Sequence, residues 1–121
     1  MTAIPVLALI TAAVGLGLFV GLLYLRHVRR PVLIAFHFLL GAIGTEGFVQ
    51  FLHGPSSRGA NRAGAFGDLA LVLFIATLLS GLIASLLVRG APRSSKFVLA
   101  THAGVGLVGF GILVTWFATL Q

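Results

Sequence analysis

Four long apolar runs, at about residues 3–25, 32–52, 69–88 and 97–120, alternate with three polar connectors: RHVRRP, HGPSSRGANRAGAFGD and RGAPRSSK. A helix needs about 20 mostly apolar residues to cross a bilayer, and each run supplies them. Gly, Pro, Ser and Arg in the connectors mark turns. The pattern predicts an all-α integral membrane protein, a single domain built as a bundle of four transmembrane helices. The first and third connectors are short, so spans 1 and 2 form one helical hairpin and spans 3 and 4 another, in up-down-up-down order.

Composition agrees with the pattern. Of 121 residues, 59% are hydrophobic and 8% charged, where a soluble domain carries about a quarter charged. A lipid bilayer is the implied surrounding. The absence of cysteine excludes disulfides, thiolate metal sites and thiol nucleophiles. The net charge of +6 does not point to nucleic acid, because the basic residues lie in the connectors. There they act as topology signals and phospholipid contacts.

Arg26, Arg29 and Arg30 in the first connector, and Arg89, Arg93 and Lys96 in the third, outweigh Arg58 and Arg62 in the second, which Asp68 offsets. The positive-inside rule puts the first and third connectors in the cytoplasm. This predicts a multi-pass protein of the bacterial inner membrane with both termini on the periplasmic side. Span 1 is long for a signal peptide and its positive charge follows the apolar run, so it reads as a retained span. Tyr24 and Trp116 read as interfacial anchors.

Two spans carry a histidine, which an apolar run does not need. Residues 35–44, AFHFLLGAIG, and 100–109, ATHAGVGLVG, share the pattern A-x-H-x3-G-x2-G. With Pro31 aligned on Lys96, His37 matches His102, Gly41 matches Gly106, and Gly44 matches Gly109. Each histidine is six residues into its span, about 9 Å below the cytoplasmic edge. Spans 2 and 4 are diagonal in a four-helix bundle, so the two imidazoles are expected to point at a shared central object. The glycines remove side chains from the same faces. A six-coordinate haem takes axial ligands above and below its ring, which makes His37 and His102 candidate iron ligands for one haem b. Arg29, Arg30, Arg93 and Lys96 lie where propionates would meet water. Thr101, or a backbone carbonyl near a glycine, would orient an imidazole through its second nitrogen. The bland alternative is that both histidines bond to neighbouring helices and the glycines only allow close packing.

Glu46 is the only acid within any span, nine residues past His37 and nearly opposite it on the helix. Gln50 and His53 follow on Glu46's own face. This polar stripe is a candidate quinone site or proton path, or else an interface with a partner subunit or with Thr11, Thr77 or Ser80 on a neighbouring span. His27 reads as a solvated connector residue.

The two intramembrane histidines with their glycines, in a four-span layout, resemble small b-type membrane cytochromes. These are the kind found in the cytochrome b561 superfamily and in the membrane anchors of hydrogenases and formate dehydrogenases. The resemblance covers the architecture of the whole chain. It implies electron transfer through haem, with quinone or an attached redox subunit as exchange partner. Members with two haems carry a second histidine pair near the opposite face; here His53 stands alone there, so at most one haem is implied unless a partner subunit donates a ligand.

No phosphate-binding loop, carboxylate pair or triad is present, so the chain reads as a possible oxidoreductase subunit of a larger membrane complex and not as a stand-alone enzyme. Two other classes stay open. One is a structural or accessory subunit of a respiratory or photosynthetic complex, with no cofactor of its own. The other is a small transporter, supported only by Glu46.

Overall fold

The computed structural model describes residues 3–54, 64–87, 90 and 92–119; Arg58, Arg62 and Arg89 of the connectors lie outside the described residues. Four helices make up the described chain: α1 (Ala3–Leu25), α2 (Pro31–His53), α3 (Gly64–Leu87) and α4 (Pro92–Thr119). All four are long and apolar enough to cross a membrane; 23 residues of α2 span about 35 Å. The surface agrees with lipid contact, with Leu22, Phe36, Val72, Leu86 and Phe97 each more than half exposed.

The expected spans match α1 and α2 within a residue. The other two helices start five residues early, at Gly64 where 69 was expected and at Pro92 where 97 was expected. Apolarity marks the segment that suits lipid, and a helix continues past it wherever the backbone allows. Proline is favoured in a first turn because its missing N–H is an orphan donor there anyway; both α2 and α4 open on one. His102 is therefore ten residues into its helix, against six for His37.

The turn from α1 to α2 is closed by backbone bonds: Val28 N–H donates to Leu23 O at 2.9 Å and His27 N–H to Tyr24 O at 3.0 Å. This pair is the Schellman arrangement. It needs a left-handed residue at its centre, usually glycine, and His27 takes that position at φ 58. His27 is thus a helix-ending residue as well as a connector residue.

Packing is closest within the pairs α1–α2 and α3–α4, and lighter between α2 and α3 and between α1 and α4. Among the described residues the backbones of α2 and α4 nowhere pack on each other, nor do those of α1 and α3. These are the diagonals.

The core occupies one half of the bundle. Val6, Ile10, Phe48, Phe51, Leu52, Ala70, Phe74, Leu113, Trp116 and Phe117 form a buried cluster drawn from all four helices. It lies where α2 ends and α3 begins. Phe48 is its centre, edge-on to Phe74 at 6.1 Å and to Trp116 at 5.8 Å. Edge-to-face contacts of this kind each contribute about 0.5–1.5 kcal/mol. Trp116 is 6% exposed, which corrects its reading as an interfacial anchor. Gly67 makes room for it, since a Cβ there would lie 3.3 Å from the indole Cζ2.

The other half is not closed in this way. No side chain of residues 14–25 or 32–43 is buried, and only Ala84 and Ser95 are buried on the matching stretches of α3 and α4. The buried packing between the two hairpins is thus concentrated at one end. His37 and His102 lie beyond it, in the less buried half.

Candidate functional site

Each histidine is seated by the other helix of its own hairpin. His37 on α2 places Nδ1 2.9 Å from the backbone oxygen of Ala13 on α1. His102 on α4 places Nδ1 2.8 Å from the backbone oxygen of Thr77 on α3. A helix carbonyl already accepts the N–H four residues on, but keeps a second lone pair. A side chain reaches that lone pair only if the residue four positions on is small. Those residues are Gly17 and Gly81. A Cβ at Gly17 would lie 2.6 Å from His37 Cε1, and one at Gly81 2.8 Å from His102 Cε1.

The arrangement is repeated in both hairpins. Ala13, Gly17 and His37 in one correspond to Thr77, Gly81 and His102 in the other. A carbonyl can only accept, so Nδ1 carries the proton in both rings. In the neutral imidazole Nε2 then keeps a free lone pair. Neither Nε2 takes a hydrogen bond among the described residues.

The two rings face each other across the α2–α4 diagonal, with centroids 5.9 Å apart and planes at 90°. Among the described residues no group of three or more His, Cys, Asp or Glu gathers to hold a metal ion, so an all-protein tetrahedral site is not built here. Two imidazole nitrogens are a complete protein donor set only where the other ligands come from elsewhere. A six-coordinate haem iron takes two such ligands from the protein. Imidazoles bound at about 2 Å on opposite sides of one metal have centroids roughly 6 Å apart. Nδ1 of each ring bonded to a fixed carbonyl is the usual outer-shell support for a ligating histidine. The donor type and the ring spacing fit a bis-imidazole haem.

The glycines singled out by the sequence pattern serve helix contact. A Cβ at Gly44 would lie 2.9 Å from Ile10 Cγ1, one at Gly106 3.1 Å from Thr77 Cγ2, and one at Gly109 3.1 Å from Leu73 Cβ. Gly41 faces Leu78 Cδ2 at an ordinary 3.4 Å. The glycines that border the imidazoles are Gly17 and Gly81, on the partner helices. Thr101 bonds to Phe97 O on its own helix at 3.0 Å, so backbone carbonyls orient the rings instead. Arg29, Arg30, Arg93 and Lys96 are all exposed at the less buried end; Arg30 is about 10 Å along the helix axis from His37.

Glu46 and Gln50 are exposed on the outside of α2, away from the histidines, with Gln50 Nε2 donating to Glu46 Oε1 at 3.1 Å. His53 Nε2 lies 3.7 Å from Asp68 Oδ1 on α3. The stripe therefore continues onto the neighbouring helix, an extension the sequence reading did not contain. Thr77 and Ser80, weighed as contacts for Glu46, sit instead at His102. A groove of about 350 Å³ on the outside of α3 and α4, bordered by Phe66, Gly111 and Thr115, is apolar and lined by none of the histidines.

No protein family, curated protein or solved structure matches the chain.

Proposed function

We propose that the chain is a membrane-embedded b-type cytochrome subunit, an up-down-up-down bundle in which His37 and His102 would hold one haem between the two hairpins. The observation that carries this reading is the pair of imidazoles 5.9 Å apart across the diagonal, each with Nδ1 tied to a carbonyl and Nε2 left over. Bound haem supplies one-electron chemistry that no side chain here can perform.

The chain's own residues do the rest. Ala13 O and Thr77 O fix ring tautomer and direction. Gly17 and Gly81 give the rings room. The aromatic core around Phe48 holds the hairpins at the other end of the bundle. Arg29, Arg30, Arg93 and Lys96 supply positive charge for acidic groups at the less buried end. By the positive-inside rule that end is cytoplasmic, with both termini periplasmic in a bacterial inner membrane. Electrons would pass to quinone or to an attached redox subunit from this one side. Haem per folded chain, measured by pyridine haemochrome on protein purified with haem supplied, tests the reading; one per chain supports it and none rejects it.

One observation favours a second reading, an accessory subunit without a cofactor of its own. Glu46 and Gln50 are exposed in the second half of an apolar helix, and an ionisable group such as Glu46 facing lipid there is costly. A partner subunit covering α2 removes that cost. On this reading His37→Ala and His102→Ala leave every spectrum unchanged, and the chain co-purifies with its partner.

A further inference from the structure

The two imidazole seats share the glycine and the accepting carbonyl but differ in side chain at two places: Ala13 against Thr77, whose hydroxyl bonds to Leu73 O on its own helix, and the residue before each glycine. In α1 the residue before Gly17 is Leu16; in α3 the residue before Gly81 is Ser80. Ser80 Oγ donates to Thr77 O at 3.0 Å, the same oxygen that accepts from His102 Nδ1. Ser80 Oγ also lies 3.3 Å from His102 Nδ1 itself. Leu16 has no hydroxyl, so Ala13 O has only His37 and its own helix to serve.

We propose, resting on the haem reading above, that Ser80 is a positioning residue that makes the two axial histidines electronically unequal and raises the reduction potential of the haem. A hydroxyl donating to Thr77 O draws on the oxygen that would otherwise pull on the His102 Nδ1 proton. A weaker bond at Nδ1 leaves His102 less imidazolate-like and a poorer donor to iron. Electron donation from an axial ligand favours the ferric state, so reducing it favours the ferrous state. His37, bonded to an undivided carbonyl, is the stronger donor of the two.

Redox titration of the purified, haem-loaded wild type, Ser80→Ala and Leu16→Ser tests this, with haem per chain measured on each. Ser80→Ala is expected to lower the midpoint about threefold in the one-electron equilibrium constant, about 28 mV at 59 mV per tenfold change. Leu16→Ser, which adds the hydroxyl to the other seat, is expected to raise it. A Ser80→Ala protein with full haem and a midpoint equal to or above wild type overturns the inference and leaves the haem reading standing. If Ser80→Ala does not fold, the Leu16→Ser protein decides alone, and an unchanged or lowered midpoint overturns the inference. A wild type without haem overturns the functional reading itself, and this one with it.

Discussion

His37 and Gly17 form a fitted pair: the imidazole occupies the space that a Cβ on Gly17 would take, 2.6 Å from Cε1. His102 and Gly81 repeat the fit in the other hairpin at 2.8 Å. In each case the reward is access to a carbonyl one helical turn back. The seating of both imidazoles therefore depends on two glycines that carry no chemistry of their own.

Gly17→Ala and Gly81→Ala are each expected to displace their imidazole and lower haem content severalfold. Overpacking of this kind costs about 1–3 kcal/mol where neighbours cannot shift. Gly15→Ala is the control, since nothing lies within 4 Å of a Cβ there. Haem absorbance per chain after matched purification checks it. Equal loading of Gly17→Ala and Gly15→Ala would show that the fitted space has no bearing on the cofactor.

Glycines elsewhere should behave differently. Gly44→Ala meets Ile10 Cγ1 at 2.9 Å, whereas Gly41→Ala meets only Leu78 at 3.4 Å. Gly44→Ala is expected to loosen α1 from α2 by about 1–3 kcal/mol, and Gly41→Ala to be near neutral. Thermal denaturation in detergent ranks the two. The opposite ranking contradicts the helix contacts described above.

Phe48 is fully buried at the centre of the aromatic cluster. Phe48→Ala removes contacts to Phe74 and Trp116 together and is expected to cost about 3 kcal/mol or more. Phe36→Ala, at a residue 54% exposed, should cost far less. Denaturant titration of both variants checks that the bundle is held from this end.

His27 sits at φ 58, where a Cβ is disfavoured by about 1–2 kcal/mol. His27→Gly is expected to raise thermal stability by about 1 kcal/mol or less, because glycine also gains freedom in the unfolded chain. A clear loss of stability would mean that the imidazole has a role beyond ending α1.

Much of the architecture was legible in the sequence because apolar run length and helix number are read directly from it. The starts of α3 and α4 were less so: Gly64 begins a glycine-rich first turn that reads as connector, and Pro92 one too polar to look like a span. The His37–His102 pairing was also legible, through the repeated histidine pattern in spans that must be diagonal if hairpins are short. Its seat was not. Ala13, Gly17, Thr77 and Gly81 lie in the preceding helices, 20 to 25 residues from the histidines they serve. The matching small-x3-glycine spacing in spans 1 and 3 was the available signal. It is easily passed over, because small residues are common wherever membrane helices pack. The same ambiguity made Gly41, Gly44, Gly106 and Gly109 look like cleared walls. Trp116 near a span end looked interfacial; its burial depends on Gly67, in another helix.

The most direct test is the reduced-minus-oxidised visible spectrum of the purified wild type beside His37→Ala and His102→Ala. The account predicts a six-coordinate b-type signal in the wild type, lost or converted to a weaker five-coordinate form in each variant. A featureless wild-type spectrum, or a signal that survives both substitutions, would contradict it.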